Sequence, residues 1–136
     1  MAEDIRISFD IVGLDWAEVS SLYRVAFGFS LSADAMEKSF SNAYKVCTAW
    51  DGDRLCGAVY AISEGVLDAT LHGLAVHPDY RGRGIATQML TQIVKQLGDM
   101  SILLTTDPEH VEYYRRLGFK RHKATMALRF PDDEVE

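Results

Sequence analysis

Apolar and polar positions change period several times along the chain, and each change marks an element. Residues 5–12 (IRISFDIV) predict a first strand. From Asp15 onward the apolar positions are Trp16, Val19, Leu22, Tyr23 and Ala26, which is helical spacing. Asp15 is placed to cap that helix, Glu18 completes a capping box three residues on, and Gly28 can close it. Ser32 can cap a shorter helix over 33–41, with Met36 and Phe40 as its apolar stripe.

The middle of the chain turns to strand patterning. Residues 44–50 and 54–62 predict two strands joined at Asp51-Gly52, a strong hairpin signal. A third strand is expected from Asp68 to Val76. A loop follows (HPDYRGRG, 77–84), then a helix over 85–97. Ile85, Met89, Ile93 and Leu97 form one apolar row of that helix, beside Ala86, Leu90 and Val94. Residues 101–105 (SILLT) predict a short buried strand. Asp107 and Pro108 open a last helix that Gly118 ends, and strands at 119–122 and 124–130 are expected to close the fold. A strand, a crossover helix and a second strand imply a parallel pair at the centre. The expectation is a mixed α/β fold: one mixed sheet of 6–7 strands with helices on both faces.

Composition narrows the function. The 136 residues suit one domain, 1–130, with an acidic tail at 131–136. Hydrophobic residues at 48% and charged residues at 25% exclude disorder as the main state. A net charge of −6 gives no general attraction to phosphate backbones, so nucleic acid is not an expected partner. No apolar run approaches the roughly 18–20 residues of a membrane span, and the acidic start (Met1-Ala2-Glu3-Asp4) is unlike a secretory signal. A cytoplasmic protein is expected. Cys47 and Cys56 are too few for a zinc site, and His72, His77, His110 and His122 show no metal spacing, so no metal is expected. A register centred on Asp51-Gly52 sets the two cysteines opposite each other, where a reduced pair is the expected state.

The loop before the 85–97 helix is the most informative segment. Backbone N–H groups at a helix start have no partner within the helix, and with the helix dipole they form an anion site. Gly82 and Gly84 let an anion approach the backbone, and Arg81 and Arg83 add charge. GxxxxGK[ST] and GxGxxG are both absent, which excludes the two commoner nucleotide loops.

Val76-His77-Pro78-Asp79-Tyr80-Arg81-Gly82-Arg83-Gly84-Ile85-Ala86 resembles the acetyl-CoA-binding motif of the GNAT acetyltransferases, met by Arg81, Gly84 and Ala86. Tyr113-Tyr114-Arg115-Arg116-Leu117-Gly118-Phe119 is similar to the family's second signature, roughly 30 residues on. The resemblance implies that the backbone from Arg81 through Gly82, Arg83, Gly84, Ile85 and Ala86 to Thr87 binds the CoA pyrophosphate. It also implies that the strand around Leu74, Ala75 and Val76 splays from its parallel neighbour to receive the pantetheine arm. Gly73 suits such a strand, as a bulge or a close approach.

Acyl transfer to an amine has three physical requirements. Only about one lysine-like ammonium in 10³ is neutral at pH 7, so a base or a desolvating pocket is needed. The tetrahedral oxyanion needs a donor, for which a strand N–H near Leu74 is the candidate. The leaving thiolate benefits from an acid, and the resemblance gives that role to Tyr114. His72 is the candidate base, since an imidazole titrates near neutrality. Glu64 and Asp68 are alternatives acting through water. Leu71-His72-Gly73-Leu74-Ala75-Val76-His77 is similar to the corresponding strand of arylalkylamine (serotonin-type) N-acetyltransferases, which carry two histidines; here the second position is Thr70. The implied function is acetyl-CoA-dependent acetylation of a primary amine, a small molecule first, with room for a homodimer. The alternative is a non-catalytic acyl-CoA sensor or interaction module.

Overall fold

The computed structural model describes residues 4–28 and 31–130. The chain divides into two compact units, Met1–Leu104 and Thr105–Glu136. The acidic tail expected at 131–136 lies outside the described residues.

The first unit holds, in order, β1 (Arg6–Ser8), α1 (Trp16–Phe27), α2 (Ala33–Ser41), β2 (Lys45–Asp51), β3 (Arg54–Ser63), β4 (Asp68–Val76), α3 (Ile85–Gln96) and β5 (Ser101–Leu103). They build one sheet in the order β1-β2-β3-β4-β5. The first four strands are antiparallel neighbours, and β5 runs parallel to β4 after the α3 crossover. β1 is shorter than expected for a local reason. The Asp10 carboxylate accepts the N–H of Val12 at 2.9 Å, and this Asx turn lifts the chain away from β2.

α1 starts where Asp15 accepts the N–H groups of Ala17 and Glu18. Glu18 does not complete the capping box. Its carboxylate instead accepts the N–H of Leu55 at 2.9 Å and ties α1 to β3. Val19, Leu22 and Tyr23 of α1 and Met36 and Phe40 of α2 pack on Val46, Leu55, Ala58 and Ala75 of the sheet. Phe40 stands edge-on to Trp16 at 5.7 Å and Tyr23 at 6.2 Å, and lies 5.3 Å from Tyr60. α3 covers the other face with Ile85, Met89, Ile93 and Leu97, all buried. The two layers are close at Gly57, where a Cβ would lie 2.8 Å from Met89 Cε and 3.3 Å from the Ala75 carbonyl.

Two bulges set the register. Between β2 and β3, Asp51 pairs with Arg54, so the hairpin loop is Gly52-Asp53, with Gly52 at φ +58°. Trp50 pairs with Leu55 and Ala49 with Gly57, which makes Cys56 the extra residue. The loop lies one residue beyond its expected place, and Cys47 faces Val59 instead of Cys56. Both cysteines are free and fully buried. Burial pushes the Cys47 thiol up to about 12 and the Cys56 thiol up to about 11. The second bulge is in β4. Tyr60 pairs with His72 and Ala58 with Ala75, so Gly73 and Leu74 together oppose Val59. Paired residues share a face, and β3 alternates without interruption from Ala58 to Tyr60. His72 and Ala75 therefore lie on the α1–α2 face, whereas Leu74 and Val76 do not, as strict alternation along 70–76 would have placed them.

In the second unit a 3₁₀ turn (Pro108–His110) leads into α4 (Val111–Arg116). Asp107 makes no capping hydrogen bond with its side chain, and Gly118 follows the helix at φ +99°. The strands expected at 119–122 and 124–130 are not formed among the described residues, so the sheet has five strands and not 6–7. Met126, Leu128 and Phe130 do alternate, but they are exposed, and Lys123 and Arg129 take positive φ that interrupts an extended run. Alternation makes a strand only where a neighbouring ladder takes up its N–H and C=O groups.

Three outcomes follow from this packing. Neither cysteine should react with an aromatic disulfide reagent until the chain is denatured, and counting reactive thiols with and without denaturant checks it. Both thiols titrate higher folded than the ordinary 9.0, so the stability they contribute is present below about pH 9 and is lost as pH rises towards 11–12. Gly57→Val should cost about 1–3 kcal/mol by overpacking against Met89 and the Ala75 carbonyl, measured as a lowered melting temperature.

Candidate active site

The glycine loop follows β4 through a single 3₁₀ turn, Pro78–Tyr80. Pro78 fixes its entry. The His77 ring caps the turn, with Nδ1 accepting the N–H of Asp79 at 3.1 Å. Gly82 and Gly84 take φ of +80° and +78°, and a Cβ at either would meet nothing within 4 Å. The backbone here is left-handed and faces open space, which suits close approach of an anion. Gly84 stands at the N-cap of α3 and makes no side-chain capping hydrogen bond, so its own position leaves the approach to the helix start unobstructed.

Tyr80 braces the loop. Its ring is buried, lies under both Arg54 (5.2 Å) and Arg83 (4.9 Å), and its hydroxyl donates to Asp51 at the β2–β3 hairpin. Arg54 also bridges to Asp79 at 3.1 Å. Arg83 is thus held over Tyr80 beside the open loop. Arg81 is used differently from the sequence expectation. Its guanidinium turns back to the carbonyls of Val76 at 3.3 Å and Ala26 at 3.4 Å, clasping the end of β4 to α1.

β4 and β5 pair only over Asp68–Thr70 and Ser101–Leu103, although β4 runs on to Val76. Its edge beyond Thr70 has no β5 partner. At the other edge the N–H of His77 donates to Cys56 of β3 at 2.8 Å. N–H directions alternate along an extended strand, so Val76 and Leu74 direct theirs to the unpaired edge while Ala75 directs its own to β3. On the α1–α2 face the exposed His72 ring stacks on Tyr60 at 5.7 Å and 17°. Tyr23 donates its hydroxyl to the carbonyl of Gly73 at 2.6 Å. Of the alternative bases, Glu64 is tied down. Its carboxylate accepts the N–H groups of Leu67 and Val66, which hold it below the usual carboxylate range and make it a weak base.

Tyr114 belongs to the second unit and His72 to the first. Within its unit Tyr114 is half-buried against Tyr113 at 5.2 Å and Phe119 at 5.7 Å. Burial, aided by Tyr113, raises its pKa above 10.0. Its hydroxyl is therefore protonated at neutral pH, as an acid requires.

A family model described as an acetyltransferase (GNAT) domain matches residues 18–128. The chain belongs to the GNAT acetyltransferase family. An uncharacterised N-acetyltransferase ycf52 of Gracilaria tenuistipitata is 38% identical over 68 residues, 48% of this chain and 37% of that protein. N-alpha-acetyltransferase 30 of Schizosaccharomyces pombe is 40% identical over 86 residues, 55% of this chain and 57% of that protein. The chain thus spans between about a third and somewhat over half of these relatives' length. A Deinococcus radiodurans R1 structure solved as a candidate acetyltransferase shares the GNAT fold at a TM-score of 0.85 and 24% identity, covering 95% of this chain and 91% of that one. GNAT membership implies acetyl-CoA as cosubstrate. No group of metal-ligating side chains occurs among the described residues, and no described helix is long and apolar enough to cross a membrane.

Three contributors escaped the sequence reading. Tyr23 counted only as an apolar position of α1 and Tyr60 only as part of an expected strand, and the Tyr80–Asp51 bond joins positions that only the hairpin brings together. Acetyl-CoA at about 100 times its Kd should stabilise the fold by roughly 2.7 kcal/mol, seen as a raised melting temperature. Gly84→Val puts a branched side chain where φ is +78° and fills the open approach, and should abolish that rise. Arg83→Ala should reduce the rise without removing it, because backbone donors carry most of such a site.

Proposed function

We propose that the protein is an acetyl-CoA-dependent N-acetyltransferase that passes the acetyl group directly to a primary amine, a small molecule in the first instance. The observation that carries this is the continuity of two open backbone features. The β4 edge with the N–H groups of Leu74 and Val76 leads through one short turn into the start of α3 at Gly84. A pantetheine arm on the first and a pyrophosphate on the second are the ligand groups whose chemistry matches.

In the proposed reaction the acceptor nitrogen attacks the thioester carbon, forming the C–N bond while the carbonyl electrons move to oxygen. The Leu74 N–H faces that oxyanion. Collapse breaks the C–S bond, and Tyr114 donates a proton to the departing sulfur. The proton that the nitrogen must lose goes to His72, whose exposed ring lies at the bulge beside Tyr60. The products are an N-acetylated amine and free CoA thiol. A net charge of −6 favours cationic amines over anionic acceptors. The ring face of the Tyr60–His72 pair supports an arylalkylamine as one acceptor class. The relative named as an N-alpha-acetyltransferase puts peptide α-amines in the same test.

Release of free thiol from acetyl-CoA should be measured across arylalkylamines, polyamines and peptides with free α-amines. Buried Cys47 and Cys56 give the thiol reagent no background. Turnover with at least one amine is expected. Acetyl-CoA binding without thiol release on any amine would favour the non-catalytic sensor. Tyr114→Phe should lower kcat about 10²–10⁴-fold with acetyl-CoA affinity retained. Full turnover by that variant, where chemistry limits the rate, would remove Tyr114 from the acid role.

A further inference from the structure

We infer that Tyr23 is a positioning residue that sets the oxyanion donor by pinning the β4 bulge from α1, an inference that rests on the acyl transfer proposed above.

Gly73 takes φ +63°, outside the range of an ordinary strand residue. A bulge frees its residues from the ladder, and a peptide group without a ladder partner can rotate. Here the Tyr23 hydroxyl donates to the Gly73 carbonyl at 2.6 Å, a bond that opposes this rotation. That carbonyl and the N–H of Leu74 belong to the same peptide plane. There is no cis peptide bond among the described residues, so the two point in opposite directions. Holding the carbonyl towards α1 therefore holds the Leu74 N–H away from it. Alternation from the His77–Cys56 bond through Val76 and Ala75 adds that the Leu74 N–H lies on the side of the unpaired β4 edge. A bond accepted at the carbonyl also polarises the amide and strengthens its N–H as a donor.

Tyr23 is built for this duty. Its side chain is 3% exposed, held between Phe40 at 6.2 Å and Phe27 at 5.8 Å. Burial, reinforced by Tyr60, holds its pKa well above 10.0, so the hydroxyl is a donor at every pH at which acyl transfer is assayed. The fit is tight: a Cβ on Gly73 would lie 2.9 Å from the Tyr60 ring and 3.1 Å from both the ring and the hydroxyl of Tyr23. Glycine is thus required twice at this position, once by its φ and once by the two tyrosines.

The test reads the donor without needing the acceptor amine. Acetyl-CoA carrying ¹³C at the carbonyl is bound to the full chain, and the carbonyl stretch is recorded by isotope-edited infrared spectroscopy. In the wild type the bound carbonyl should lie at lower wavenumber than in free acetyl-CoA. Tyr23→Phe keeps the ring packing, and Gly73→Ala attacks the same bond from its other end. In either variant the band should return towards the free position while acetyl-CoA still raises the melting temperature. With an active amine, Tyr23→Phe should lower kcat about tenfold or more, short of the roughly 10²–10³-fold loss of an entire oxyanion donor, with KM for acetyl-CoA unchanged. A merely structural Tyr23 would lower the melting temperature and leave the band at its wild-type position, which overturns the inference alone. A wild-type chain that takes up no acetyl-CoA overturns the acyl-transfer reading and this inference together.

Discussion

A parallel strand pair that stops pairing after three residues is the constraint on which the site depends. β5 pairs with β4 over its three residues and then ends, so β4 beyond Thr70 has an edge where a longer ladder would leave none. Such an edge exposes N–H and C=O groups that must find partners. Two devices manage it. α1 reaches over the bulge, with Tyr23 taking the Gly73 carbonyl and Arg81 clasping the Val76 carbonyl to the end of α1. The N–H groups of Leu74 and Val76 on that edge lead, through the glycine turn, to the start of α3.

Rigidity around this opening comes from both faces. The aromatic cluster of Trp16, Tyr23, Phe40 and Tyr60 fixes α1 and α2 on one face, and Met89 packs against Gly57 on the other. Replacing a fully buried phenylalanine such as Phe40 by alanine costs about 3–5 kcal/mol, which is a large share of a domain's net stability. The same packing that stabilises the chain therefore holds the β4 bulge in place. The hairpin contributes in a similar way: Asp51 and Arg54 flank its two-residue loop, and both reach Tyr80 beneath the glycine turn.

Much of this was legible in the sequence because it is local. The caps at Asp15 and Ser32, the apolar row of α3 and the bounds of β4 follow from spacing over a few residues, and the glycine loop follows from residue type. What was not legible depends on distant partners. Glu18 had a local use in a capping box, yet the N–H of Leu55 claims it. The extra residue at Cys56 shifts the cysteine register, and nothing near the turn announces it. The alternation of Met126, Leu128 and Phe130 looks like a strand, but a strand exists only with a neighbour, and the sequence does not say whether one is there. In the site, His72 and Leu74 seemed to share a face until one inserted residue separated them, while Tyr23 passed for one more apolar position of α1.

The backbone donors carry the account, so the most direct measurement follows amides. The amide ¹H–¹⁵N resonances of the full chain would be recorded while CoA is added. The largest shifts should fall at Leu74 and Val76 and across Gly82–Thr87, with Ala75 moving less because its N–H is turned to β3. Shifts absent from these residues, or concentrated elsewhere on the surface at saturating CoA, would contradict the assignment of the β4 edge and the α3 start as the binding path.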